Sequence, residues 1–237
     1  MGEKTRLNKY LAALGIASRR EIDRLAEAGG ITVNGLKATP GILVGSDDAI
    51  LVKDVAVDHG PHRKVYYMLN KPPFVISSAA DLRGRTIVTD LAPKEERIFP
   101  VGRLDYETTG LLLLTNDGAL SQKLLHPKNE IYKEYIARIP GRLTRDDIFL
   151  LEQGMVLDDG MTLPARVRVL LEDEGTSLVS VSIREGRKRQ VRRMFRQLKK
   201  PLMSLKRERI GELSLGDLPE GACRPLTQEE VNYLYSL

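Results

Sequence analysis

Apolar positions along this chain change period near residue 65. Before that point Leu7, Leu11 and Leu14 recur at helical spacing and Gly15 ends the run, which predicts a helix over 5–14. Ser18 with Glu21 three residues on is a capping box for a second helix reaching Gly29-Gly30. Ile31-Thr32-Val33, the Asn34-Gly35 turn and apolar pieces near 41–44 and 49–52 predict small strands. The polar stretch Asp58-His59-Gly60-Pro61-His62-Arg63-Lys64 reads as a linker. Beyond it, short apolar runs predict strands over 65–69, 74–77, 98–101, 111–115, 132–139, 165–171 and 178–183. Helices fall near 119–125, 145–153, 190–199 and 228–235, with Thr144 and Thr227 as N-caps. Strands and helices mixed without strict alternation predict an α+β fold around a mixed, largely antiparallel sheet with flanking helices. The expected division is a first domain over 1–58, a linker over 59–64 and a second domain over 65–237.

Composition narrows the class. The chain has 237 residues, 42% of them hydrophobic, enough for a proper core. Cys223 is the single cysteine, which excludes a disulfide framework and points to a reducing compartment. No stretch reads as a secretory leader and no apolar run approaches membrane-spanning length, so a soluble, cytoplasmic protein with no membrane partner is expected. Three histidines (His59, His62, His126) and one cysteine show no metal-ligand spacing. No GxGxxG or GxxxxGK[ST] string suggests a nucleotide cofactor. The pairs Asp47-Asp48, Asp146-Asp147 and Asp158-Asp159 sit where turns or helix starts are expected, and turn chemistry accounts for them.

The formal charge of +5 is unevenly placed. Residues 184–209 hold twelve Arg or Lys against Glu185 and Glu208, a net of +10 that leaves the rest at −5. This stretch reads as one basic element facing a polyanion. Val191, Met194, Phe195 and Leu198 form the apolar stripe of a helix packed on its own domain, which argues against a membrane-surface helix.

The candidate chemistry lies in Gly102-Arg103-Leu104-Asp105-Tyr106-Glu107-Thr108-Thr109-Gly110-Leu111-Leu112-Leu113-Leu114-Thr115-Asn116-Asp117-Gly118. Asp105 sits in a turn between two apolar runs, and a carboxylate there needs hydrogen bonds or a cation to stay ionised. On an extended backbone Arg103 points to the same side. An isolated R-x-D is more often an Asp that caps a turn. The whole string, however, resembles the active-site motif of pseudouridine synthases of the RsuA/RluB/RluE/RluF family. The pattern LNKYLAALGIASRRE…GGITVNG…VGSDDAILV resembles in turn the alpha-L RNA-binding domain of the ribosomal protein S-four type. The alternative for this segment is a small helical cap.

The resemblance implies an rRNA-modifying isomerase with no cofactor, acting as a monomer. Asp105 would be the essential catalyst. Arg192, two after Gln190 in Glu185-Gly186-Arg187-Lys188-Arg189-Gln190-Val191-Arg192-Arg193-Met194, would be its salt-bridge partner. Arg103 would fill the space left by a flipped uridine, and Tyr135 of Lys133-Glu134-Tyr135 would stack on the uracil. RNA contacts are expected from Arg6, Lys9, Arg19, Arg20 and Arg24 in the first domain, and from Arg187, Lys188, Arg189 and Arg193 in the second. Lys188 and the Ala28-Gly29-Gly30 helix end depart from the usual family pattern. Arg189 before Gln190 and Arg192 after it, residues 154–160 and the Arg224-Pro225-Leu226-Thr227 ending look like the large-subunit (RluB-like) branch. One uridine in 23S rRNA, near the peptidyl-transferase region, is therefore the expected target. The alternatives are a 16S rRNA or tRNA enzyme of the same family, and a non-catalytic RNA-binding ribosome-assembly factor.

Overall fold

The computed structural model describes residues 4–60, 62–81 and 83–237, so Pro61 of the expected linker lies outside the described residues. The chain divides into two compact units: Met1–Val65 with Asn116–Gly118, and Tyr66–Thr115 with Ala119–Leu237.

The first unit is built from β1 (Thr5–Arg6), α1 (Leu7–Ala13), α2 (Arg19–Glu27), β2 (Ile31–Val33), β3 (Leu36–Lys37), β4 (Leu43–Val44), β5 (Ile50–Val52) and β6 (Val55–Ala56). Leu7, Leu11, Ile22, Ile31, Val44 and Ile50 form its core. Ser18 caps α2 by accepting the Glu21 N–H at 3.2 Å, while the Glu21 carboxylate pairs with Arg24 instead of reaching back to close the box. Residues 5–6, expected to be helical, are extended and pair with β4. Asn34 and Gly35 take left-handed φ angles of 50° and 80°, the geometry a two-residue hairpin needs between β2 and β3. Asn116 belongs here: its Oδ1 accepts the Val65 N–H at 2.9 Å and its Nδ2 donates to the Arg63 carbonyl at 2.8 Å.

The second unit contains β7 (Tyr66–Lys71), β8 (Phe99–Pro100), β9 (Thr109–Thr115), α3 (Gly118–Leu125), β10 (Lys133–Pro140), α4 (Arg145–Gln153), β11 (Val156–Leu157), β12 (Gly160–Met161), β13 (Arg166–Asp173), β14 (Thr176–Ile183), α5 (Gln190–Gln197), β15 (Ser204–Ile210), β16 (Leu213–Ser214), β17 (Cys223–Pro225) and α6 (Gln228–Ser236). Its main sheet runs β13-β14-β10-β15-β9-β7-β17, with β16 on β15 and β8 on β9. Pairings in it are antiparallel except the seam between β9 and β15, which is parallel. One apolar core, including Leu151, Val179, Val181, Met194 and Phe195, lies on the β10–β14 side of that seam. The other, including Met68, Leu111, Leu113, Leu120 and Leu234, lies on the β7–β9 side. Thr144 and Thr227 cap α4 and α6 with full capping boxes to Asp147 and Glu230.

Two further expectations need correction. Residues 74–77 are not a strand: Pro72-Pro73 withhold two backbone donors, Phe74 turns left-handed at φ +63°, and only a single bridge joins Ile76 to Ile87. The basic stretch 184–209 is not one element but a loop, α5 and β15, so its charges face different ways. His126 directly follows α3 and caps a short 3-10 turn over Pro127–Asn129, taking the Lys128 N–H at 3.2 Å.

Gly110 sits at the seam with φ +102°, and a Cβ there would lie 2.2 Å from the Arg207 carbonyl oxygen, a backbone atom that cannot step aside. Gly110→Ala is therefore expected to lose about 3 kcal/mol or more of stability, read as a lowered urea midpoint. An unchanged midpoint would mean that the two strands are not this close.

Candidate active site

Asp105 is held in a turn fixed from several sides. The Thr108 N–H closes the turn onto the Asp105 carbonyl at 3.0 Å. Just before it, Ser77 Oγ donates to the Leu104 carbonyl at 2.9 Å and accepts the Leu104 N–H at 3.1 Å. Beneath it lies Lys71, fully buried at the end of β7. Its Nζ donates to the carbonyls of Pro72 (2.9 Å), Thr108 (2.9 Å) and Tyr106 (3.4 Å). Burial pulls the Lys71 ammonium down to about 8, with Asp105 and Glu220 partly holding it up.

The turn opens on a cavity of about 530 Å³. Arg103, Asp105, Lys133, Tyr135, Arg192 and Arg207 all line it. The Asp105 side chain keeps 30% of its surface exposed, whereas that of Arg192 keeps 11%. Their closest approach, Nε to Oδ2, is 4.0 Å. Arg192 also lies 3.5 Å from Glu107 Oε2 and donates to Thr108 Oγ1 at 3.3 Å. Burial lowers the Arg192 pKa, Arg189 adds to that, and Glu107 and Asp105 oppose it, Glu107 the more strongly. Arg192 is aimed here because α5 buries Val191, Met194 and Phe195 on its other side. Gln190 anchors the helix start, accepting the Arg187 N–H at 3.1 Å and donating to Glu185 at 2.6 Å.

Tyr135, half-buried on β10, packs on the first core and is the cross-strand neighbour of Arg207. Arg207 is 5% exposed and its Nε donates to the Leu111 carbonyl at 2.7 Å. Its Nη2 is buried with no hydrogen-bond partner among the described residues. Lys133 is pushed down to about 8 by burial and by Arg207 beside it. A cavity lined by so many cations, with one accessible carboxylate on a fixed turn, suits a polyanion presenting one reactive group. Among the described residues no three His, Cys, Asp or Glu side chains converge as a metal-ligand set. Nor, among them, is any helix long and apolar enough to cross a membrane.

The remaining basic candidates divide by environment. Arg6, Lys9, Arg19, Arg20 and Arg24 of the first unit are all exposed. Lys188 and Arg189 are exposed beside the cavity. Arg187 and Arg193 are instead engaged within the chain. Arg187 bonds Glu185 at 2.9 Å and the Gly160 carbonyl at 3.0 Å. Arg193 pairs with Asp159 at 2.7 Å and with Asp158. Together they fasten the β11–β12 hairpin.

Sequence reasoning missed Glu107, Lys71, Lys133 and Arg207. A Lys following the apolar run over 65–69 and Asn70 was a readable sign of a buried charge. The alternation Leu205, Arg207 would have shown Arg207 inward had the segment been treated as a strand.

Two family models match the chain: RNA pseudouridylate synthase over residues 65–197 and S4 domain over residues 5–50. The chain is 44% identical to the ribosomal large subunit pseudouridine synthase B of Bacillus subtilis, over 98% of this chain and 96% of that one. It is 34% identical to the dual-specificity RNA pseudouridine synthase RluF of Escherichia coli, over 98% of this chain and 79% of that one. A crystal structure of a pseudouridylate synthase superposes with a TM-score of 0.71 at 29% identity, covering 97% of this chain and 99% of the other.

The buried ammonium makes a stability prediction. From about pH 8 to 10.5 the folded chain has released the Lys71 proton while the unfolded chain still binds it. The contribution of this group to stability therefore rises with pH across that window. Relative to Lys71→Met, the unaltered chain is expected to gain up to about 3 kcal/mol between those pH values in urea titrations. A flat difference would show that the ammonium is not desolvated.

Proposed function

Because the chain belongs to the RNA pseudouridylate synthase family, we propose that it isomerises one specific uridine of 23S rRNA to pseudouridine. The observation that carries this reading is the Asp105 carboxylate, fixed on its turn at a cation-rich cavity with Tyr135 in the wall. The large-subunit target is supported by the 44% identity to a Bacillus subtilis enzyme named for that subunit.

The reaction cleaves the bond from ribose C1′ to uracil N1, turns the base and rejoins it through C5. Atoms are conserved and no net electrons move, so nicotinamide and flavin have no part in this reading. Attack on the sugar, attack on the base and removal of the C2′ proton all require an ionised carboxylate beside the glycosidic bond. Asp105 supplies it. Arg192 stands beside that carboxylate without covering it, since at 4.0 Å it is an ion-pair neighbour, not a clamp. The uridine must leave its stack to reach the cavity, at a cost of a few kcal/mol. Arg103, exposed at the lip, fills the gap left behind, and Tyr135 stacks on the extruded uracil.

The first domain, over 1–58 and followed by the linker at 59–64, grips the RNA through Arg6, Lys9, Arg19, Arg20 and Arg24. In the second domain Lys188 and Arg189 extend the contact, with Arg187 and Arg193 holding the loop that presents them. The protein acts as a monomer in the cytoplasm, on rRNA.

The direct test incubates purified protein with unmodified 23S and 16S transcripts and maps pseudouridine in each. Modification confined to 16S rRNA would overturn the target, and modification of neither would overturn the activity. Asp105→Asn keeps shape and removes charge, so it is expected to lower the rate by at least about a thousandfold with RNA affinity largely intact. Arg192→Ala should be nearly as damaging. Arg19→Glu with Arg20→Glu should weaken RNA binding and flatten the salt dependence by roughly 0.7–0.9 per lost phosphate contact. An unchanged salt slope would remove these two residues from the RNA surface.

A further inference from the structure

Two aromatic rings stand in the open immediately outside the catalytic turn. Phe74 is 63% exposed and Tyr106, the residue after Asp105, is 48% exposed. Their rings meet edge to face, with centroids 5.6 Å apart at 62°. The pairing is built into the backbone, because the Phe74 N–H donates to the Tyr106 carbonyl at 2.7 Å. That same carbonyl is one of the three taken by the buried Lys71.

Phe74 also holds φ at +63°, a left-handed conformation that suits glycine and strains a bulky side chain. The ring recovers little from burial, since most of it faces water. The strained backbone costs stability and the exposed ring returns little of it, and their coincidence beside Asp105 points to a use outside the fold.

We propose that Phe74 and Tyr106 form a stacking platform for an unpaired nucleobase of the substrate RNA next to the flipped uridine. This rests on the isomerase reading above and adds a second base subsite to it. Extruding one base removes a stacking neighbour from the bases on either side, and an aromatic face replaces it whatever the base identity. Arg85, exposed and in electrostatic reach of Tyr106, gives the surface the cationic edge that a nucleotide needs and an apolar protein partner does not.

Phe74→Gly separates binding from folding, because glycine suits φ +63°. In the full chain this variant should be at least as thermostable as the unaltered protein. On the 23S transcript its KM should rise about 5- to 150-fold, the span of one base–aromatic stack, with kcat changed far less. Phe74→Tyr should restore the KM. In a hairpin fragment bearing the mapped uridine, an abasic site at one flanking nucleotide should raise the KM of the unaltered chain but not that of Phe74→Gly. An unaltered KM in Phe74→Gly, with the parent enzyme active, would overturn the platform alone and leave the rings to a protein partner. A parent enzyme that converts no uridine in either transcript would overturn the platform together with the isomerase reading.

Discussion

Lys71 keeps an ammonium where the chain leaves it no water, and the turn that carries Asp105 is arranged around satisfying it. Three backbone carbonyls converge on that one group, two of them from the turn that follows Asp105. A buried cation demands such partners, since an unpaired charge in the interior is strongly unfavourable. The demand works in both directions. The carbonyls solvate the ammonium in place of water, and the ammonium fixes where the Tyr106 and Thr108 carbonyls stand. The carboxylate is thereby positioned without a direct hydrogen bond to the ammonium, and so stays available at the cavity.

The same economy of partners runs through the cleft wall. Arg192 is divided between Asp105, Glu107 and Thr108, so no single oxygen captures it. Arg207 donates one proton to the seam and turns a further nitrogen to the interior of the cavity wall. Arg187 and Arg193 are paired with Asp159 and its neighbours and serve the protein, whereas Lys188 and Arg189 remain open to solvent. Sequence counts the cations. Only the fold sorts those that hold structure from those that face outward.

Much of this was legible in the chain beforehand. Helix ends written in capping residues, such as Thr144, Thr227 and Ser18, fell where expected because capping is local chemistry. Asp105, Arg192, Arg103 and Tyr135 could be named in advance, and all four line one cavity. What escaped notice depended on long-range pairing. β15 hides inside a run of basic residues, because its inward and outward positions are both charged, Arg207 against Lys206. Glu107 and Lys71 gain meaning only when the turn folds over β7. Residues 74–77 looked like a strand because four apolar-rich positions do not reveal that a backbone has turned left-handed.

The parallel seam has a kinetic consequence. It joins Thr109 and Gly110 to Lys206 and Arg207, partners about a hundred residues apart. Contacts of such sequence separation form late, since the loop between them must close first. A growing chain therefore holds the Asp105 turn long before it holds the strand carrying Arg207, or the helix that brings Arg192. The cavity comes into being only when synthesis has passed β15, so a nascent chain carries the carboxylate but no site. Activity is switched on by completion of the fold itself.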